Sequence, residues 1–285
     1  MVRHFVGTIG VFVCLLPLHA ETLYVGAQRA MVPIYIYDGS GTATEFAPQA
    51  SMPLRHLAVD SGGNLYVAYQ AANTVWKYSP SGAGAPFASS GLDGPYGLAF
   101  DNTGNVFVSN RGTDSILKFT LDGTGSTFAD AGLSQPMSLA FRGGTLYAAD
   151  ITGAITIFDD NGTPSLFAQL ESGAFGGLVF DRAGNLFAGT RSYIYKITPD
   201  ATVSVLVDFI SLGLFGPTTH GLAIDGSDNL FVSDFADTVW KVTPNGDMTV
   251  FANQSAPSFM VFVPEPTSMV LLPLGFLALV WRRRC

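Results

Sequence analysis

The residues best equipped for chemistry in this 285-residue chain recur at a regular interval. One position in a repeat of about 40 residues holds Ala27, Tyr69, Asn110, Asp150, Thr190 and Asp234. A second holds Arg55, Tyr96, Met137, Gly176, His220 and Ser258. Asn110, Asp150 and Asp234 carry the hard oxygen atoms that calcium or magnesium prefers, and His220 has the only ring nitrogen in either set, fit for a general base. Together they describe a metal-assisted hydrolytic or eliminating site. The same residue types also have a local use. An Asp or Asn at the end of a strand caps the turn that follows, here toward Asp114 and Asp237, and needs no metal to do so. His220, in the run Thr218-Thr219-His220-Gly221, also reads as a half-exposed loop residue. His56 replaces the glycine usual before the first strand of a repeat.

Other chemistries are short of parts. Cys14 and Cys285 are the two cysteines, both in terminal segments, so residues 21–263 contain no thiol and no disulfide. That body has His56 and His220 as its histidines, no Gly-x-Ser-x-Gly elbow, and three glutamates, Glu21, Glu45 and Glu171. A glycosidase-type carboxylate pair would have to be built from aspartates. Its 10 Lys and Arg stand against 21 Asp and Glu, a formal charge of −11 that repels a phosphate backbone and argues against nucleic acid as a partner.

The elements that must position these residues are short strands. "LAVDSGGNLYVA" from Leu57 aligns with "LAFDNTGNVFVS" from Leu98, "LAFRGGTLYAA" from Leu139, "LVFDRAGNLFAG" from Leu178 and "LAIDGSDNLFVS" from Leu222. Each is followed by a third apolar run such as "TVWKYSP", a Gly- or Pro-bearing turn, and a fourth run carrying "PFA", "TFA", "LFA", "VLV" or "VFA". Four short antiparallel strands per unit make one blade of a β-propeller. A sixth unit is split. "TLYVG", "PIYIYDGSG" and "TEFA" at the start match strands two to four, and "PSFMVFV" from Pro257 to Val263 supplies strand one. The expected fold is an all-β, six-bladed propeller over residues 21–263, its ring closed by pairing of the terminal strands so that no sheet edge is left between first and last blades.

Two features of the blades read as structural. The turn Asp-x-x-Gly-Asn, at Asp60, Asp101 and Asp181, sets a capping carboxylate before a residue suited to positive φ, and Asp228 fills the glycine slot after Asp225. Trp76 and Trp240 fall at equivalent third-strand positions, where core packing is expected.

The ends are signals. Residues 1–20 have a basic start at Arg3, an apolar stretch and Ala20 before Glu21, the layout of a secretory signal peptide. At the other end Pro264, Glu265, Pro266 and Thr267 precede an apolar run over residues 269–281, about 20 Å as a helix against a hydrocarbon core of about 30 Å, and then three arginines. The arginines would stay cytoplasmic and leave the body outside. This tail, residues 264–285, resembles the PEP-CTERM sorting signal. The resemblance implies recognition by an exosortase, transient insertion in the inner membrane, and release or re-anchoring at the cell surface, in a family associated with extracellular polysaccharide.

The repeats resemble those of NHL-repeat propellers and of the six-bladed class that includes gluconolactonase, senescence-marker and virginiamycin B lyase-like proteins. That class mixes enzymes and binding scaffolds. Gluconolactonase-like proteins carry an early Glu-Gly-Pro and a later Pro-Asp-Gly or Pro-Asn-Gly. This chain has no Glu-Gly-Pro, and the later slot reads Pro95-Tyr96-Gly97 or Thr219-His220-Gly221, so two metal ligands of that pattern are missing. The expectation is an exported binding or scaffold module using the mouth that bears Arg55, Tyr69, Tyr96, Asn110 and His220. The competing expectation is a metal-dependent lactonase, esterase or lyase with Asn110, Asp150 and Asp234 as ligands.

Overall fold

The computed structural model describes residues 22–27, 33–47, 53–171, 173, 176–214, 221–234, 237–253 and 257–263. The signal-peptide segment, the tail from Pro264 and His220 lie outside the described residues. Six four-stranded antiparallel sheets account for the strands β1 to β24. Five are consecutive in sequence, over residues 56–88, 95–129, 136–169, 178–208 and 221–253. The sixth has the order β24 (Pro257–Phe262), β1 (Leu23–Ala27), β2 (Ile34–Tyr37), β3 (Ala43–Ala47), so the chain ends meet in one blade as the repeats predict. The first strands, β4 (His56–Val59), β8 (Pro95–Phe100), β12 (Pro136–Arg142), β16 (Leu178–Phe180), β20 (Gly221–Ile224) and β24, each touch the next around a closed ring.

The recurrent "FA" of the fourth strand has a geometric purpose. In all six blades the register between strands three and four slips at one point: Val75 pairs with Ala88 but Trp76 with Pro86, and Ile116 with Ala129 but Leu117 with Thr127. The skipped residue is Phe46, Phe87, Phe128, Phe167, Leu206 or Phe251. Such a bulge tightens the local twist and re-aims a side chain. The freed phenylalanine meets an aromatic of strand two edge-on, as in Phe87 on Tyr66 at 5.0 Å and Phe128 on Phe107 at 4.9 Å. A first-strand aromatic of the next blade completes the seam: Phe100 on Tyr66 at 5.0 Å, Phe141 on Phe107 at 4.8 Å, Phe180 on Tyr147 at 4.9 Å, Phe262 on Phe231 at 4.9 Å. Each edge-to-face contact adds about 0.5–1.5 kcal/mol to the burial itself.

The bulge also explains a glycine. The carbonyls of Phe46, Phe87, Phe128, Leu206 and Phe251 point at the strand-three-to-four turn of the following blade, and a Cβ on Gly82 would come 2.4 Å from the Phe46 oxygen, one on Gly123 2.5 Å from the Phe87 oxygen. The blade over residues 178–208 breaks the rule with Ala201, held at φ 65°. The Asp-x-x-Gly-Asn turns behave as expected: Asp60, Asp101, Asp181 and Asp225 accept from the Asn backbone and side chain four residues on, and Asp228 takes φ 62°. Three of them also hold a lysine from strand three, Lys77, Lys118 or Lys241, at 3.6–3.7 Å, each lying over a strand-two ring.

Candidate functional site

At the end of the ring opposite the Asp-x-x-Gly-Asn turns, the innermost strands begin and the second strands end. Space at the axis is tight there. A Cβ on Gly97 would lie 2.2 Å from the Met137 carbonyl, and one on Gly221 would collide with that of Ser258. Where β8 and β20 carry Gly97 and Gly221, β24 carries Phe259, which fills the space they leave. It is 1% exposed and packs against the rings of Tyr96 at 5.9 Å and His56 at 5.7 Å. Tyr96, Met137 and Phe259 belong to one buried cluster that plugs this end.

Below the plug the six first strands surround a cavity of about 380 Å³, lined by apolar side chains and by His56, the titratable residue of its described lining. The Leu98 amide donates to His56 Nδ1 at 3.4 Å, which fixes that nitrogen as an acceptor. Desolvation lowers the imidazole to about 4, so the ring is neutral at physiological pH.

Serines clip the inner strands together. The Ser109 hydroxyl accepts from the Gly97 amide at 2.6 Å and donates to the Met137 carbonyl of the next blade at 3.0 Å. Ser233 donates in the same way to Ser258 across the closing seam. The pairs "VSN" and "VSD" in the second strands carry the signal for these clips, which the repeat alignment by itself passed over.

The residues that follow the second strands do not stand on the surface of the mouth. Ala27, Tyr69 and Thr190 are 0% exposed, Asn110 1%, Asp150 3% and Asp234 4%. Their polar atoms are committed close by. Asn110 accepts from the Asp93 amide at 2.6 Å and donates to the Gly91 carbonyl and Thr113 Oγ1. Asp150 accepts from the Thr152, Ala154 and Ser134 amides and from the Thr152 hydroxyl. Asp234 accepts from the Thr238 amide at 2.9 Å and from Trp240 Nε1 at 2.7 Å, giving that tryptophan a polar partner. In the blade over residues 56–88 Tyr69 takes this position and bonds Tyr78 through their hydroxyls at 3.0 Å, with Trp76 edge-on at 6.3 Å. Among the described residues, no three His, Cys, Asp or Glu side chains converge as a metal set.

What does reach the surface is the next residue along. Arg111 follows Asn110, and Gln70 follows Tyr69. The guanidinium of Arg111 lies 6.0 Å from the centre of the Tyr96 ring, and that of Arg55 lies 5.8 Å from the same ring. A glutamine steadies each: Arg55 Nε donates to Gln70 Oε1 at 2.8 Å, and Arg111 donates through Nε and Nη2 to Gln135 Oε1 at 3.1 and 2.8 Å. Burial raises the Tyr96 phenol above its ordinary value, and the two arginines pull it back in part. Among the described residues neither arginine has a carboxylate partner within salt-bridge range, whereas Lys77, Lys118, Arg182 and Lys241 all do. Sequence reasoning placed Arg55 and Tyr96 here and missed Arg111, Gln70 and Gln135, because only one residue per turn was aligned.

The blades are also stapled to one another around this mouth. Asn73 at φ 51° accepts from the Gly94 amide of the next blade at 2.8 Å, and Asp114 at φ 51° accepts from the Gln135 amide of its neighbour at 2.6 Å. Asn and Asp tolerate the left-handed conformation better than other side chains, so the staple residue also makes the turn.

Just past the closing strand β24, the Val263 amide donates to the Thr22 carbonyl at 3.0 Å. Pro264 follows at once. Residues 262–284 match the PEP-CTERM protein-sorting motif. PEP-CTERM is the recognition signal for exosortase processing, and it marks this chain as exported and processed at its C-terminus. Among the described residues no helix is long and apolar enough to cross a membrane.

No curated protein sequence matches the chain. Among solved structures, the propeller resembles a chain of a nidogen/laminin complex at TM-score 0.75 and 18% identity, covering 86% of this chain and 98% of that one. It resembles a streptogramin B lyase at TM-score 0.64 and 18% identity, covering 84% and 91%. It resembles a catalytically inactive virginiamycin B lyase from Staphylococcus aureus with quinupristin at TM-score 0.62 and 15% identity, covering 86% and 93%. At these identities the likeness is one of fold.

Proposed function

We propose that this exported propeller is a binding or scaffold module of the cell surface or its polysaccharide matrix, and that the plugged mouth around Arg55, Arg111 and Tyr96 is its contact face. One observation carries the reading: two guanidiniums steadied over a buried tyrosine without a carboxylate partner among the described residues. Arginine held in place by a neutral amide keeps its charge available for a partner, at little further cost in side-chain entropy. In this reading residues 1–20 are a signal peptide, the tail from Pro264 is inserted transiently in the inner membrane, and an exosortase-type enzyme removes it. The strand that closes the ring abuts the tail without a linker, so the propeller sits close to whatever it is attached to. Tyr69 and Asn110 then support the mouth from beneath.

A metal-dependent lactonase, esterase or lyase is the competing reading. It would require Asn110, Asp150 and Asp234 to give up the amides they now bind in three separate blades. Retention on the polysaccharide of the producing cells, measured for the purified protein and an Arg55→Ala, Arg111→Ala variant, separates the two. Loss of retention in the variant with no effect of EDTA supports the binding module. A stoichiometric divalent cation lost in Asp150→Ala or Asp234→Ala supports the enzyme.

A further inference from the structure

Beside the two arginines lies an open groove of about 400 Å³ whose lining is polar: Gln70, Asp93, Arg111, Asp114 and Gln135, with the backbones of Gly94 and Gly112. It holds both donors and acceptors. Arg55, outside the lining but bonded to its Gln70, spends its Nε there and leaves both terminal nitrogens as a planar fork. Arg111 spends Nε and one bond of Nη2 on Gln135, leaving Nη1. Because both glutamine oxygens are occupied as acceptors, the glutamines offer NH₂ groups outward, and Gln70 Nε2 lies beside the Gly94 wall. The same groove carries acceptors. The Asp93 carboxylate lies over Gly112, and Asp114 has one oxygen on the Gln135 amide and the other unspent.

Such a groove selects by chemistry. A guanidinium fork matches a carboxylate in a bidentate manner, and exposed Asp oxygens facing amide NH₂ groups match vicinal hydroxyls, which both donate and accept. No apolar side chain among the described residues lines the groove, which disfavours an acyl or aromatic ligand. A polyanion with more than one charge per sugar, such as a multiply sulfated or phosphorylated chain, is disfavoured by Asp93 and Asp114 in the groove and by the −11 body around it. We infer that the groove takes a hydroxyl-rich carboxylate of the kind a uronic acid unit presents, its carboxylate on Arg55 and Arg111 and its hydroxyls on Asp93, Asp114 and the glutamine amides. The inference rests on this mouth being the contact face and goes further by naming the ligand class.

Titration calorimetry of the purified protein with a tetramer of galacturonic acid, and with the neutral galactose tetramer as its match, tests it. The acidic tetramer binds and the neutral one binds at least roughly tenfold more weakly, since charge-assisted bonds are what distinguish them. Arg55→Ala and Arg111→Gln each reduce binding of the acidic tetramer by roughly tenfold, with melting temperature unchanged as the check on folding. Asp93→Asn weakens both tetramers alike. Equal affinity for the two tetramers, or arginine variants that fold and bind the acidic tetramer as the parent does, would overturn the inference and leave a binding role at this mouth standing. Retention on the native polysaccharide that survives loss of both arginines would overturn the mouth itself.

Discussion

The amide of Val263 donates to the carbonyl of Thr22 at 3.0 Å, so the residue just past the closing strand is fastened beside the first described one. Ring closure in this propeller is therefore a contact between chain ends. Deleting residues 257–263 removes Phe259 from the axis and opens the edge of β1. The truncated protein is expected to elute as higher oligomers and to melt well below the parent, by size-exclusion chromatography and thermal denaturation. A monomer of unchanged melting temperature would refute closure by this strand. Phe259→Ala alone is expected to cost about 3–5 kcal/mol.

Ser109 and Ser233 each tie one blade to the next by a buried hydroxyl. Alanine at either site leaves the Met137 or Ser258 carbonyl without that donor, an expected loss of about 1–3 kcal/mol in denaturant titration. Cysteine, a weaker donor, is expected to recover only part of it.

Ala201 occupies a turn position where the five other blades have glycine at positive φ, Gly41, Gly82, Gly123, Gly162 and Gly246. Ala201→Gly relieves a left-handed residue and is expected to stabilise by roughly 0.5–1 kcal/mol, a rise of about 1–4 °C in a domain of this size. Gly82→Ala, which drives a Cβ to within 2.4 Å of the Phe46 oxygen, is expected to destabilise by at least about 1 kcal/mol. Opposite signs at equivalent turns are the informative result.

His56 gives the fold an acid-sensitive element. Its folded value of about 4 lies below the ordinary 6.5, so the unfolded chain binds the proton first as pH falls. The stability linked to it is complete above about 6.5 and is lost progressively as pH drops from there toward 4. The carboxylates held below their ordinary range, Asp101 among them, act only beneath that window. Melting temperature against pH should therefore fall between 6.5 and 4 in the parent and be flatter there in His56→Gln. Equal slopes would show that another group is responsible.

The propeller was legible in the sequence because its physics is periodic: each strand repeats a burial pattern about every 40 residues, and the split blade is visible as two fragments that complete one unit. The Asp60, Asp101, Asp181 and Asp225 turns were legible for the same reason. The mouth was only partly so. Arg55 and Tyr96 stand at aligned positions, but Arg111 gains its meaning from Gln135 in the next blade and from Tyr96 in its own, contacts that no single repeat contains. Tyr69 and Asn110 show the converse. Their position in the repeat points to the mouth, and their burial follows from hydrogen bonds to Tyr78 and to the loop at Asp93, outside the local turn.

Hydrogen exchange with and without the surface polysaccharide of the producing cells addresses the contact face directly. If the mouth bearing Arg55, Arg111 and Tyr96 is that face, protection appears in the loops at residues 91–96 and 111–114 and not in the Asp-x-x-Gly-Asn turns at the other end. Protection confined to those turns, or to the outer strands, would contradict the account.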